Sequence, residues 1–531
     1  MPRLRSFLLT ATTLTPALIA QAPPRRVIGY FPSWGIYARN YHVPNIPAAR
    51  LTHIHYAFAN VQNGVIALGD AYADTDRFYP GDCWNPGCRR GSFHQLELLK
   101  QQYPHLRTLI SIGGWTWSGN FSDAVLTAQS RATFAQSIVD FVDTWRFDGA
   151  DIDWEYPVSG GLQNGRPVDK QNFTLLLRQV RADLDARGAL DGRHYLLTIA
   201  APAGPTTMAN LELALVADTC DWVNLMSYDF HGGWETTTDH NAPLFGRYGR
   251  LSPGDPLCSH AAVDGWLAAG VASEKLVLGV AFYGRGWSGV SAGTTNGLRR
   301  PATGLPMGTW ETGVFDAWDI AQRLTQQPSV YARFWDDVAK APFVFAASLA
   351  GGTWIGYEDT QSLLAKVGYV HERRLGGVMF WELSGDIRTP ASSLLTTIET
   401  ALKPAPALRV DSRHLGQGLT TLTTLRLAHT SHANRWYALL GTLSGTTPGF
   451  TLGSLQVPLN WDPLTSALLG VANTPAFAGF VGKLDAKGKA VAKLTAPPLP
   501  GMLGLDLHFV YVQDGSIWDF ASNSITLRVV R

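Results

Sequence analysis

The chain has 531 residues, 53 of them Gly and 31 Pro, with 46% hydrophobic and 16% charged side chains. That length exceeds one ordinary domain, and the composition excludes disordered, fibrous and multi-span membrane classes. Basic and acidic residues number 43 and 42, a net charge of +1 that disfavours nucleic acid as a partner.

Residues 1–22 read as an export signal. Arg3 and Arg5 make a basic start, Phe7 to Ala20 an apolar run, and Ala20-Gln21-Ala22 an A-x-A cleavage site. Pro23 after the cut leaves the cleavage position open. The run is too short and Thr-rich for a good membrane span, and no later stretch approaches about 18 unbroken apolar residues. A secreted, extracellular protein without a membrane span is expected. Cys83 and Cys88 enclose Trp84-Asn85-Pro86-Gly87, a turn-rich loop that a disulfide would staple. Cys220 and Cys258 are a further pair whose bonding the sequence leaves open. A zinc site would need tighter clusters with His partners, so neither metal nor cofactor is expected.

From Arg26 to about Leu402, short apolar strands alternate with helical stretches. The strands are Val27-Phe31, Leu51-Asn60, Leu106-Ile112, Gly149-Glu155, Tyr195-Ala201, Trp222-Tyr228, Leu276-Tyr283 and Gly377-Trp381. Several are nearly continuous apolar runs, as strands covered on both faces should be. Helical patterns cover Arg131-Trp145, Lys170-Arg187, Leu211-Asp218, Ala261-Ala269 and Thr360-Arg373. Eight strands with intervening helices predict an α/β fold, a closed (β/α)₈ barrel over residues 23–402. An open doubly wound sheet competes, but no G-x-G-x-x-G turn follows the first strand. Too much chain lies between Tyr283 and Thr360 for one crossover helix, so a small α+β insertion is expected at about 286–356. Lys403-Pro404-Ala405-Pro406-Ala407 reads as a stiff linker. Residues 408–531 carry short Thr/Val/Leu strands and predict a β-sandwich, with Asp485-Ala486-Lys487-Gly488 as a hairpin turn. Within it Trp436, Tyr437, Trp461 and Trp518 are read as core aromatics rather than a sugar-stacking face.

The densest chemical signal runs from Phe147 to Pro157. On a strand, Asp151, Asp153 and Glu155 share one face while Ile152 and Trp154 take the other. The apolar pair suits the helix layer, which turns the carboxylates into the barrel. Three buried carboxylates are too costly for ordinary packing, and charged groups at the C-terminal ends of barrel strands are usually catalytic. Their mutual repulsion predicts that at least one keeps its proton near neutral pH. Glu155, nearest the mouth, is the expected acid.

The D-x-x-D-x-D-x-E pattern at Asp148, Asp151, Asp153 and Glu155 resembles the signature of family 18 glycoside hydrolases, the chitinases. Ser111-Ile112-Gly113-Gly114-Trp115-Thr116 is similar to that family's S-x-G-G motif, and Met226-Ser227-Tyr228-Asp229 to its M-x-Y-D. Gly377 to Glu382 resembles its last strand with a terminal Trp. Tyr283-Gly284-Arg285-Gly286-Trp287 with Gly308-Thr309-Trp310-Glu311 looks like the insertion domain of its bacterial deep-cleft subgroup.

The resemblance implies substrate-assisted, retaining hydrolysis of β-1,4-linked N-acetylglucosamine polymers. Glu155 would protonate the glycosidic oxygen, and the substrate's 2-acetamido carbonyl would attack the anomeric carbon. Asp153 would hold the acetamido N–H, Asp151 would share its proton, and Tyr228 would bond the carbonyl oxygen. Trp381 would floor the subsite of the distorted sugar. Trp34, Trp115, Trp234 and Trp310 would stack on sugars. Tyr30, Phe58, Tyr156 and Met226 would shape the pocket floor, and Arg285, Asp229 and Glu311 would bond sugar polar groups. Gly114, Thr116 and Tyr283 would complete the binding set. His231 is read as structural. The chain would act as a monomer on chitin and chitooligosaccharides. Competing readings are an endo-N-acetylglucosaminidase acting on glycoproteins and an inactive chitin-binding lectin; the presence of Glu155 weakens the lectin.

Overall fold

The computed structural model describes residues 25–250, 255–389, 392–402, 408–429, 433–446, 449–452, 455–514 and 518–531. The export signal and the linker lie outside these. Two compact units divide the described chain, one spanning 24–403 and the other within 404–531.

The first unit is a barrel of eight parallel strands: Arg26–Pro32, His53–Gln62, Arg107–Gly113, Gly149–Asp153, Leu196–Ala201, Trp222–Leu225, Leu276–Ala281 and Gly377–Trp381. The first strand closes the ring by pairing with the second (Ile28 beside His53) and with the eighth (Arg26 beside Gly377). Outward side chains such as Ile110, Ile152, Ile199 and Val378 join the helix-facing core, while Ile28, Tyr30, Trp222, Val277 and Met379 fill the interior. Burial on both sides explains the unbroken apolar runs.

The helices start and stop by local chemistry. The side-chain oxygen of Thr127 accepts from the Ser130 N–H at the head of Ala128–Thr144, and Asp359 accepts from Gln361 and Ser362 before Thr360–Glu372. Asp169–Asp191 ends at Gly192 in the left-handed region, which a residue without a Cβ adopts at low cost.

Three strands end earlier than the sequence predicts. The fourth stops at Asp153, the sixth at Leu225 and the seventh at Ala281. Glu155, Met226 and Tyr228 therefore lie on chain that has already left the ladder. Tyr283 opens a separate five-stranded antiparallel sheet, ordered Val314–Asp316, Tyr283–Trp287, Thr353–Gly356, Ala341–Ala346 and Ala332–Asp336. Phe315, Val344, Ile355 and Tyr357 pack with Ile320 of helix Ala317–Gln326 on one side of it, and Trp287, Phe343, Phe345 and Trp354 on the other.

Within residues 408–531 a four-stranded and a six-stranded sheet enclose Leu425, Leu427, Tyr437, Leu439, Phe509, Tyr511 and Leu527. Three readings there are corrected. The Asp485–Gly488 turn forms, with the Gly488 N–H donating to the Asp485 carbonyl, but its flanking strands join different sheets. It is a crossover, not a hairpin. Trp436 and Trp461 are exposed rather than core, while Tyr437 is buried; the Trp518 side chain lies outside the described residues. A helix, Pro463–Val471, capped by Asp462, interrupts the all-β pattern.

Cys83 and Cys88 are bonded, and Cys220 and Cys258 are buried free thiols. No described helix is long and apolar enough to cross a membrane.

Candidate active site

Asp148, the first acid of the motif, lies outside the barrel interior. It sits at the N-terminal end of the fourth strand, accepting from the Thr108 N–H (2.8 Å) and from Lys100 Nζ (2.9 Å). Far from the mouth and fully paired, it fixes strand register.

Asp151, three residues on, is completely buried. Its Oδ2 accepts from Tyr30 Oη and Ser111 Oγ, both at 2.8 Å. Its Oδ1 accepts from Thr198 Oγ1 at 2.5 Å and Asn224 Nδ2 at 3.3 Å. His55 Nδ1 lies 3.4 Å from Oδ2. Burial alone would raise this carboxyl, but His55, Thr198 and Tyr30 outweigh it and hold Asp151 below its ordinary pKa.

Asp153 has the opposite environment. It is buried, and its Oδ1 has no hydrogen-bond partner. Burial first, then the charges of Glu155 and Asp151, push its pKa well above the usual range. Glu155 follows, half-buried beyond the strand end, where Ser118 Oγ accepts its N–H at 2.8 Å. Burial pushes the Glu155 carboxyl up to about 7; a hydrogen bond with Tyr156 opposes the rise and the Asp229 charge adds to it. The strand face and the chain just past its end therefore carry an acid held low, an acid pushed well up and an acid near 7.

The rim comes from neighbouring strand ends. Tyr228, half-buried, donates from Oη to Met379 Sδ at 3.7 Å, a weak acceptor that a ligand oxygen would readily replace. Its ring meets Tyr283 edge-on at 6.2 Å. Trp381 lies over the interior, its ring centre 5.6 Å from Phe58 and 5.7 Å from Tyr30, with Trp34 at 6.1 Å. Met226 packs with this cluster. Gly113 and Gly114 both have positive φ, and a Cβ on Gly114 would stand 2.6 Å from the Phe58 ring. Gly114 thus serves packing, letting the chain turn hard against Phe58 and carry Trp115 and Thr116 outward, where both are exposed.

Asp229 adopts a left-handed φ of 54° and accepts from Arg285 Nε at 2.8 Å, while its N–H donates to Asn241. The Arg285 guanidinium lies over the exposed Trp234 ring at 5.3 Å and over Tyr283 at 5.4 Å. Trp310, exposed, donates from its indole to Asp316 Oδ2 at 2.7 Å. Glu311 is exposed beside it. His231 pairs with Glu235 at 2.9 Å, a structural contact.

Several residues escaped the sequence reading. Thr198, Asn224 and His55 are polar side chains inside otherwise apolar strands, and that mismatch is the signal that marks them. Arg39 and Asp316 join the first barrel loop to the inserted sheet at 2.7 Å, and Arg39 also reaches Glu382 at 3.3 Å; nothing in their local sequence announces this. Among the described residues no group of three or more His, Cys, Asp or Glu converges as a metal site.

Chitinase A1 of Niallia circulans is 43% identical over 72% of this chain, which spans 60% of that relative's length. The solved structure of chitinase ChiA74 from Bacillus thuringiensis aligns with a TM-score of 0.67 at 31% identity, covering 95% of this chain and 85% of that one. A family 18 N-acetylglucosaminidase from Paenibacillus barengoltzii aligns at 0.59 and 34% identity, over 71% of this chain and 99% of that one. The profile of Glycosyl hydrolases family 18 matches residues 26–386, the whole barrel with its inserted sheet, and the chain belongs to that family.

Proposed function

We propose that this chain is a chitinase, cleaving β-1,4 bonds between N-acetylglucosamine units by substrate-assisted retention. The observation that carries the reading is the trio of acids at the barrel mouth, Asp151 held low by its partners, Asp153 buried with a partnerless oxygen and pushed well up, and Glu155 just past the strand end near 7. Glu155 gives its proton to the glycosidic oxygen as the acetamido carbonyl oxygen attacks the anomeric carbon, and the C–O bond breaks to leave an oxazolinium ion. Asp153 receives the acetamido N–H and, with the Asp151 charge behind it, stabilises the cation. Tyr228 exchanges Met379 sulfur for the carbonyl oxygen and aims the attack. Water, deprotonated by Glu155, then opens the ring from the face the leaving group vacated, restoring the acid. Trp381 floors the reacting sugar, with Trp34, Trp115, Trp234 and Trp310 as exposed or half-exposed faces along the chain on either side.

Export is part of this reading: the Cys83–Cys88 disulfide supports an oxidising compartment. Action as a monomer is proposed with it.

Chitin and fully deacetylated chitosan should separate the mechanism. The first should be hydrolysed with β product at early times by proton NMR, and the second should resist. Comparable rates on both polymers would overturn substrate assistance. The likeness to the Paenibacillus barengoltzii N-acetylglucosaminidase favours a second reading, release of single sugars from chain ends. Monosaccharide as the sole early product would select it; dimers and longer products select the chitinase.

A further inference from the structure

At the end of the barrel opposite the mouth, a cleft of about 800 Å³ opens beside helix Gly91–Gln102, around the N-terminal ends of the third, fourth and fifth strands. Five of its cations, Arg89, Lys100, Arg107, Arg146 and Arg193, stand among two carboxylates, Glu97 and Asp148. A sixth, Arg187, is already balanced by Asp143 and Asp191, each at 2.8 Å.

The two carboxylates do not satisfy the five cations. Asp148 Oδ2 accepts from the Thr108 N–H and from Lys100, and Arg193 comes only within 3.7 Å of Oδ1. Glu97 meets Arg89 at 3.5 Å and Arg146 at 3.4 Å, both longer than an ordinary N–H···O bond. Arg107 pairs with no acid among the described residues; its guanidinium donates to the Pro104 and Leu106 carbonyls. Arg89 and Arg193 each give one N–H to a carbonyl, that of Thr144 and of Phe147, and a guanidinium carries five. Burial, opposed by Asp148 but reinforced by the charges of Arg193 and Arg107, holds the Lys100 ammonium below its ordinary pKa. Like charge is therefore crowded here, with donors to spare. A concave wall of one sign focuses its field on whatever enters.

We propose that this cleft binds a phosphate-class oxyanion through Lys100 and the guanidinium groups of Arg107, Arg146 and Arg193. A tetrahedral dianion offers acceptors on every side, which suits forked donors carried by separate elements, and its charge offsets the local surplus. Free inorganic phosphate and the phosphate ester of a sugar present the same oxygens. The site lies at the other end of the fourth strand from Glu155 and is separate from the groove that holds the acids.

The test titrates the full chain with phosphate, sulfate and chloride at matched ionic strength, followed by calorimetry and thermal melting. Wild type, Arg107→Gln and Arg146→Gln/Arg193→Gln are compared, with far-UV circular dichroism to show that each is folded. Phosphate and sulfate should bind saturably and raise the melting temperature, while chloride does neither. The double variant should bind phosphate at least about 10-fold more weakly. Arg107→Gln, which breaks no ion pair, should weaken it roughly 3-fold and keeps the test decisive should the double variant misfold. A melting temperature that follows ionic strength alone overturns the site, as does phosphate bound equally by wild type and the folded variants. Glucose 6-phosphate separates the two sources: an ester bound at least as tightly as phosphate assigns the cleft to phosphorylated sugars, and an ester shut out assigns it to the free ion.

Discussion

Asp151 and Asp153 stand two residues apart on one strand face, yet the floor and the mouth of the barrel drive them in opposite directions. Four neutral donors converge on Asp151 from the first, third, fifth and sixth strands. Asp153, one layer higher, has a buried oxygen without a partner and a like charge on each side. Burial is common to both, so the partners of Asp151, His55 first and then the converging donors, rather than burial decide which acid is held low. The barrel uses its closed interior to fix a charge below and its donor-poor upper layer to keep protons above.

The largest expected effect tests the mouth. Glu155→Gln should lower kcat/KM by about 10²–10⁴ while chitooligosaccharide binding, followed by calorimetry, persists. A variant retaining a few tenths of the wild-type rate would remove Glu155 from its role. The floor should respond in stability instead. Asp151→Ala removes the acceptor of four buried donors, and urea denaturation should show a loss on the order of 3–5 kcal/mol. Asp153→Asn, replacing an acid that already favours its neutral form, should cost under about 1 kcal/mol. If the two substitutions destabilise equally, the contrast between floor and mouth is wrong.

Smaller effects follow pH. Glu155 must carry its proton to act, so kcat/KM should fall as pH rises through about 7. The same shift affects stability. The unfolded carboxyl titrates near 4.5 and the folded one near 7, so its cost to the fold is absent below about 4.5, grows between those values and is complete above about 7. Glu155→Gln should therefore be more stable than wild type at pH 8, by on the order of 1–3 kcal/mol, and equal to it at pH 4. The smallest effect concerns the second unit. Ending the chain at Leu402 keeps all eight barrel strands, and hydrolysis of soluble oligosaccharides should proceed at an unchanged rate; a loss of half or more would give residues 408–531 a part in the catalytic unit.

The two units also differ in how far their sequences could be read. In the barrel, strands covered on both faces leave apolar runs, and the period-two alternation through Asp151-Ile152-Asp153-Trp154 shows which side each residue takes. In the sandwich, strands are covered on one face, as the alternating burial of Thr421–Ala428 shows, and their partners are ambiguous in sequence. A turn such as Asp485–Gly488 looks the same whether its strands pair or part. Trp436 and Trp461 looked like core because ring size says nothing about which face of a strand is covered.

By itself the sequence determined the alternation of eight strands with helices and the side to which the carboxylates turn, because both rest on short-range periodicity, and its composition supplied the aromatics. Only the tertiary structure decided that Thr198 and Asn224 close on Asp151, that Glu155 stands past its strand, and that Arg39 reaches across to Asp316. Those contacts join residues 47 to 277 positions apart, and which distant strands become neighbours is settled by barrel closure, a property no local pattern encodes.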